Sequence, residues 1–270
     1  MSPLAYAPPD ARQGHVAFLR ERVFQTATRW PHYARLLEDL LNFARGLPPR
    51  TDVVILERSS AYGGDSLFAP LFPDQHVFVV DCEPGGTAAP DAYQTSWTDD
   101  PRCIHVRANR RAPIHMTGLD DASADVLLVP AVVHHVRDQD AMFAELARVL
   151  RPGGTGYLFE ALLRELHQLP DDHVRYTPWG MEAALARHGL ETTAWKPAAG
   201  PFEAIAYCWV QALQHLPPAE RAVHERWFTT EHLPLLLAMD DRYPRSLSRG
   251  HTACPVAYSI SFRHRTDSGV

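Results

Sequence analysis

The strongest constraint in this chain of 270 residues is a set of short, unbroken apolar runs. They lie at residues 53–56, 77–80, 125–129 and 156–159, and turn residues bound each of them. A strand with one face in water alternates apolar and polar residues, so runs without alternation indicate strands that are buried on both faces. Helical stretches separate the runs, most clearly over 138–150. Strands that alternate with helices predict an open α/β sheet.

Helical segments flank the predicted sheet. Residues 14–46 carry apolar residues at helical spacing and predict two helices, with a break at Pro31. Another helix is predicted over 179–188 and ends at Gly189. Three parts are therefore expected, which are an N-terminal helical cap (1–48), a Rossmann-like core (49–200), and a helical insertion with a final strand (201–270).

Composition limits the partners of the chain. Apolar residues make up 46% and charged residues 21%, which is ordinary for a globular protein. The net charge of −6 argues against a nucleic-acid partner. The first residues lack a signal-peptide pattern, no run of 18 apolar residues predicts a membrane span, and the cysteines are widely spaced. We therefore expect a cytoplasmic protein.

One segment, 119–160, resembles a known family. It carries an acidic turn before a predicted strand, a histidine pair after that strand, and a helix that leads into a Pro-Gly-Gly turn. The residues concerned are Asp121, Ser123, Asp125, His134, His135, Leu146, Arg148, Val149, Leu150, Pro152, Gly153 and Gly154. This pattern resembles the second half of a class I S-adenosylmethionine-dependent methyltransferase. The segment RYTPWG at 175–180 resembles a bacterial subset that acts on sugars, lipids and secondary metabolites.

The resemblance implies a fold and a cofactor. The fold is a Rossmann-like open sheet of about seven strands, and the cofactor is S-adenosyl-L-methionine. In the family, an acid and three spaced glycines follow the first strand and let backbone N–H groups approach the cofactor. Here Glu57 matches the acid, Ser59 and Ala61 replace the first two glycines, and Gly63 keeps the pattern. Each replacement adds a Cβ, which makes a left-handed backbone costly there.

The resemblance also implies cofactor contacts at the ends of two further strands. Asp81 ends the second predicted strand and is expected to accept both ribose hydroxyls, with Cys82 beside it. Glu83 is the alternative acid if that strand ends later. Val129, at the end of the fourth strand, is expected to line the cofactor site.

The adenine contact is expected in a loop over residues 106–113. This loop contains no carboxylate, so Asn109 is the candidate acceptor for the adenine amino group. Arg110 and Arg111 either face an anionic group of the substrate or lie in a solvated basic loop.

Methyl transfer needs an aligned acceptor and often a base. His134 and His135 are expected at the end of a strand, at the edge where open α/β sheets bind ligands. Adjacent residues on a strand point oppositely, so one of the two faces the pocket. His135 is the favoured base, and a packing role is the alternative. Glu160 is expected to hold a substrate hydroxyl or amine, or to cap the following helix. Two adjacent histidines on a regular strand cannot easily bind one ion, so no metal is expected.

The acceptor is expected to meet the next loop and the helical cap. His173 and Tyr176 are candidate acceptor contacts in that loop, although Tyr176 equally fits a core position. Trp30 and Tyr33 follow the break between the first two helices. Together with the aromatic residues of 201–250 they predict a hydrophobic acceptor pocket, a helix-packing core or a homodimer surface.

These observations lead to one hypothesis and two alternatives. The first is an O- or N-methyltransferase that acts on a small-molecule acceptor related to sugars or secondary metabolites. The second is a repurposed member of the fold that has lost methyl transfer and catalyses a cyclisation or rearrangement. The third is a non-catalytic partner subunit.

Overall fold

The computed structural model describes residues 9–24, 30–83, 99–242 and 255–266. The strands in this part of the chain are β1 (Asp52–Glu57), β2 (His76–Glu83), β3 (Arg110–Pro113), β4 (Ala124–Pro130), β5 (Leu150–Ala161), β6 (Leu190–Pro197) and β7 (Ala257–His264). The α-helices are α1 (Pro9–Phe18), α2 (Pro31–Arg45), α3 (Gln139–Val149), α4 (Pro178–Arg187), α5 (Pro201–Leu213), α6 (Pro218–Trp227) and α7 (Leu233–Arg242).

The strands form one seven-stranded sheet in the order β3-β2-β1-β4-β5-β7-β6. β7 runs antiparallel to both of its neighbours, and the pairs among β1 to β5 are parallel. The predicted Rossmann-like sheet of seven strands is therefore confirmed. Because β1, β2, β4 and β5 are parallel, their carboxyl ends meet at one edge, which is where sheets of this kind bind ligands.

Helices cover both faces of the sheet. Helices α3 and α4 pack on one face through side chains such as Phe143 and Leu185, and α1 and α2 pack on the other through Phe18 and Leu40. Asp138 caps α3 by accepting the N–H of Ala141 at 3.0 Å. A cap of this kind stabilises a helix by about 1 kcal/mol.

The N-terminal and C-terminal helices meet through a buried polar network. Glu203 on α5 accepts the backbone N–H of His32 at 2.7 Å and contacts its Nδ1 at 2.6 Å. Arg35 donates to the second carboxylate oxygen at 3.0 Å. The His32 and Glu203 side chains are 0% and 1% exposed, so this network fixes α5 against α2 above the carboxyl edge of the sheet.

Two strands and one connection differ from the prediction. The prediction of a loop over 106–113 was wrong for its second half, because residues Arg110–Pro113 form β3. The sequence analysis also missed β6. The segment from 58 to 75 contains two short 3₁₀ turns, Ser59–Tyr62 and Ala69–Leu71, and no α-helix. Residues 243–250 of the predicted helical insertion lie outside the described residues. None of the helices described is both long and apolar enough to cross a bilayer.

Candidate active site

A cavity of about 400 Å³ opens at the carboxyl edge of the sheet. Its floor is formed by residues that end β1, β4 and β5, and its walls come from the helical caps. The floor residues are Glu57, Arg58, Pro130, Ala131, Phe159 and Glu160, and the wall residues include Trp30, Tyr33, Tyr207, Val210 and Gln211. The cavity therefore lies where the ligand site was expected, beneath both predicted caps.

Glu57 ends β1 inside this cavity and is fully buried. Burial raises the pKa of its carboxyl to about 8, against the opposing effect of the nearby Ser66 hydroxyl. In the described part of the chain, neither carboxylate oxygen of Glu57 meets a donor in hydrogen-bond geometry. Glu57 pairs in register with Asp81 on β2, so the two predicted cofactor acids lie side by side on adjacent strands. The predicted end of the second strand at Asp81 was wrong, because β2 continues to Glu83.

Asp81 is buried, and its carboxylate already meets two groups of this chain. Its Oδ1 accepts the backbone N–H of Ser60 at 2.9 Å. Its Oδ2 lies 3.7 Å from Nε of Arg111, which forms a closer ion pair of 2.7 Å with Glu83. The buried position of Asp81 fits the ribose contact better than that of the more exposed Glu83.

The loop after β1 has glycines where its backbone becomes left-handed. Gly63 and Gly64 have φ of 72° and 91°, and the Arg107 guanidinium donates to the carbonyl of Gly63. Ser59 is fully buried in the 3₁₀ turn that also includes Ala61. A turn of four residues supplies no helix N-terminus for the cofactor. The two acids thus fit S-adenosylmethionine, whereas the loop holds it less directly than the family pattern implies.

The other predicted cofactor contacts lie in the core or are engaged by the chain. Asn109 accepts the backbone N–H of Val79 through Oδ1 at 2.9 Å, so an adenine contact would require this bond to open. Val129 is 0% exposed and packs in the core. Cys82 is also buried, and burial raises the pKa of its thiol well above the usual value. Arg110 donates to the carbonyl of Gly118 at 3.1 Å.

The histidine pair does not lie on a regular strand, and this premise of the sequence analysis was wrong. β4 ends at Pro130, and His134 and His135 follow in a 3₁₀ turn over Val133–His135. Both imidazoles line the cavity, and their ring centroids are 4.0 Å apart. The argument against a shared metal ion therefore does not hold for this geometry.

A third imidazole, from His167, completes a cluster with the pair. The ring centroids of His134 and His135 lie 5.1 and 5.2 Å from that of His167. Each of the three uses Nδ1 in a contact with the surrounding chain. Nδ1 of His134 lies 2.6 Å from Glu160, that of His135 donates to the carbonyl of Asp171 at 2.5 Å, and that of His167 donates to Asp172 at 3.1 Å.

Burial keeps all three imidazoles neutral. It lowers the pKa of His134 to about 3, of His135 to about 2 and of His167 to about 3, with neighbouring positive groups adding to the effect. A general base works best when its pKa lies near the working pH. His135 is therefore a weak base for an acceptor hydroxyl, although its Nε2 keeps an unprotonated lone pair.

Glu160 ends β5 beneath the cluster. It is fully buried, and burial raises the pKa of its carboxyl to about 8. Oε1 accepts the backbone N–H of Val133 at 2.8 Å, and Oε2 faces His134. Glu160 thus orients the histidine turn, and because it also lines the cavity, its contact with substrate stays a prediction.

The predicted acceptor residues divide between the cavity and its surroundings. Trp30 and Tyr33 line the cavity, where the Trp30 ring packs on Tyr207 with centroids 5.2 Å apart. His173 donates its backbone N–H to the carbonyl of His134 at 2.8 Å. Tyr176 packs on Phe143 in the core. Neither His173 nor Tyr176 is among the described residues that line the cavity.

Sequence reasoning missed His167, Arg58 and Tyr207. His167 lies 33 residues from His134, so no spacing motif connects them. Arg58 directly follows the predicted acid, and Tyr207 lay in the aromatic insertion without being singled out. The count of 15 histidines was the only signal for the cluster, and it becomes informative only when the fold brings three of them together.

A family model described as "Methyltransferase domain" matches residues 64–158. Residues 64–158 are thus similar to a methyltransferase domain. The resemblance found in the sequence is thereby confirmed. An uncharacterized methyltransferase of Mycobacteroides abscessus is 32% identical over 126 residues, which is 46% of this chain and 45% of the relative. The chain thus matches less than half of that relative's length.

Solved structures share the class I methyltransferase fold. A methyltransferase of Haloferax volcanii, in complex with the Trm112 methyltransferase activator, has a TM-score of 0.51 at 18% identity, covering 94% of this chain and 96% of the other. A Bacillus halodurans protein described as a "putative methyltransferase" has a TM-score of 0.50 at 13% identity, covering 85% of this chain and 98% of the other. The [4+2]-cyclase SpnF has a TM-score of 0.50 at 14% identity, covering 98% of this chain and 100% of the other. At these identities the likeness concerns the fold alone.

Proposed function

We propose that this methyltransferase-domain protein transfers a methyl group from S-adenosylmethionine to an oxygen or nitrogen of a small-molecule acceptor. The observation that carries the proposal is the pair of buried acids, Glu57 and Asp81, in register on β1 and β2, with Glu57 lining the cavity. When bound, S-adenosylmethionine supplies an electrophilic methyl group. Asp81 would bind the ribose hydroxyls, and Trp30, Tyr33 and Tyr207 would enclose an acceptor with a flat or apolar face.

The experiment is a titration of the full chain with S-adenosylhomocysteine by calorimetry. Asp81→Ala should weaken binding by 10-fold to 100-fold, because it removes hydrogen bonds to a charged acceptor worth about 1.5–3 kcal/mol. Glu83→Ala is the matched control and should leave the affinity within twofold, because Glu83 is partly exposed beside the buried Asp81. Lack of binding at millimolar ligand would overturn the proposal. Equal losses in the two variants would overturn the ribose assignment.

A second candidate is a chain that uses this fold without methyl transfer, for a cyclisation or rearrangement of a small molecule. It is favoured by the engagement of Asp81 by Ser60 and of Asn109 by Val79, which leaves fewer groups for a cofactor. The weak basicity of His135 points the same way. The [4+2]-cyclase SpnF has the same overall fold. This candidate predicts a thermal shift with acceptor-like molecules and none with S-adenosylhomocysteine.

A further inference from the structure

The cluster of His134, His135 and His167 has an arrangement that proton transfer does not explain. Each residue offers one ligand atom, and these atoms lie within 4.8 Å of one another. Nε2 of His134 lies 3.4 Å from Nε2 of His167. Two imidazole nitrogens that bind one Zn²⁺ ion at about 2.0–2.1 Å in tetrahedral geometry are themselves about 3.3–3.4 Å apart.

The protons of two of these rings follow from their partners. A carbonyl oxygen only accepts, so the contact of His135 with Asp171 places the proton on Nδ1. Arg175 donates to both carboxylate oxygens of Asp172. Asp172 is therefore an acceptor, and the proton of His167 is also on Nδ1. Both rings thus present an unprotonated Nε2.

The third ring, His134, is held by the carboxyl group of Glu160. When Glu160 is ionised, it accepts the Nδ1 proton of His134, and Nε2 presents a third lone pair. Metal-binding histidines characteristically donate their other N–H to a carboxylate or a backbone carbonyl, which fixes the ring and its tautomer. In this cluster, all three rings have such a partner.

We propose that Nε2 of His134, His135 and His167 bind one divalent transition-metal ion of the Zn²⁺ or Co²⁺ type. Neutral imidazoles suit such ions, and three protein ligands leave a position open. All three rings line the cavity, so the open position faces the proposed acceptor and would take a water molecule or a ligand oxygen. Asp172 supplies negative charge behind the rings, and Glu160 adds a second negative charge when it is ionised, against the positive charges of Arg58, Arg164 and Arg175.

The test is calorimetric titration of the chelator-treated full chain with Zn²⁺. Wild type should bind one ion tightly, and His167→Ala should weaken this site by at least 100-fold, since a third of the ligands is lost. His173→Ala is the matched control, because His173 contacts the cluster through its backbone N–H, and its side chain lies 3.8 Å from the carboxylate of Asp171, whereas His135 is held by the Asp171 carbonyl; it should leave the affinity within twofold. A site that is absent from wild type, that survives His167→Ala, or that is lost equally in His173→Ala would overturn the proposal.

Two further measurements cover the case in which His167→Ala does not fold. X-ray absorption of the zinc-loaded wild type should show three imidazole nitrogens at about 2.0 Å, and a sulfur shell would contradict the site. Glu160→Gln should weaken the binding of Zn²⁺ by 10-fold to 100-fold, which is the usual loss when a residue that orients a metal ligand is replaced. An unchanged affinity in this variant would remove Glu160 from the site. S-adenosylhomocysteine binding is measured separately, so failure of the proposed methyl transfer and failure of the metal site are distinguishable.

Discussion

Glu57 and Glu160 end β1 and β5 at the same edge of the sheet, and burial raises the pKa of both carboxyls to about 8. Their partners differ. Glu160 accepts the N–H of Val133 and faces His134, whereas the oxygens of Glu57 meet no donor in hydrogen-bond geometry in the part of the chain described. The two buried acids therefore differ in role, because Glu160 orients a neighbouring ring and Glu57 presents a buried carboxyl group to the cavity.

The contrast extends to the elements that carry these acids. The range matched by the family model, 64–158, begins after Glu57 and ends before Glu160, so it contains β2 to β4, α3 and most of β5 but neither of these two acids. On the β4–β5 side, the imidazoles of His134 and His135 line the cavity, and the surrounding chain contacts Nδ1 of each ring. On the β1–β2 side, Ser60 and Arg111 already approach Asp81. The two sides thus differ in what they present, because the β4–β5 side turns imidazoles toward the cavity, whereas on the β1–β2 side groups of the chain itself already contact Asp81.

The largest expected effect comes from replacing the titratable carboxyl group of Glu57 by an amide. The folded chain holds this group protonated up to about pH 8, while the unfolded chain ionises near pH 4.5, so the stability of wild type falls as pH rises between these values. Glu57→Gln does not titrate. Its gain over wild type should grow from near zero at pH 4.5 to on the order of 4 kcal/mol at pH 8.

Urea unfolding at pH 5 and pH 8 measures this difference. Glu83→Gln is the control, because the Glu83 side chain is 39% exposed and its charge remains solvated. A gain for Glu57→Gln that is the same at both pH values would show that Glu57 is ionised in the folded chain. The contrast between Glu57 and Glu160 would then be lost.

The next effect concerns the acid network that supports the histidine cluster. Asp172 is fully buried and pairs with His167 and Arg175. Asp172→Ala leaves both partners without their acceptor and should lower the free energy of unfolding by about 3 kcal/mol. Asp140→Ala is the control, because Asp140 is 78% exposed and bonds His188 at the surface; it should cost less than about 0.5 kcal/mol. Equal losses in urea unfolding would mean that the cluster is not preformed.

The sequence predicted the buried strands because their side chains are apolar on both faces. It missed β3 and β6, which lie at the two edges of the sheet. The sequence RRAP of β3 and the exposed positions of β6 carry no apolar run. Edge strands form because a neighbouring strand offers hydrogen bonds, and a reading of local periodicity does not detect that.

The candidate site was predicted in part for a similar reason. Glu57 and Asp81 were found through the family resemblance, and His134, His135 and Glu160 because they follow predicted strands, whose ends converge in a parallel sheet. His167 lies in a loop after β5, where no periodicity places it. The turn at Val133–His135 was also missed, since the strand was expected to continue and Ala131 turns the chain with a φ of 50°.

The smallest expected effect tests whether the loop after β1 is as firmly held as the second half. Gly64 has a φ of 91°, and Gly153, in the Pro-Gly-Gly turn of β5, has a φ of 81°. A Cβ at Gly64 would lie 2.5 Å from Nη1 of Arg107, an exposed and flexible side chain, while one at Gly153 would lie 3.4 Å from Thr266. In both positions the left-handed backbone is the main obstacle, so Gly64→Ala and Gly153→Ala should each cost about 1–2 kcal/mol in urea unfolding. Suppose that Gly153→Ala lowers the free energy of unfolding and Gly64→Ala leaves it unchanged. The loop after β1 would then adopt another conformation without loss of stability. Its contacts with Asp81 would then open readily, and the methyl-transfer proposal would gain over the second candidate, because the backbone amides near Ser60 would become free for a cofactor.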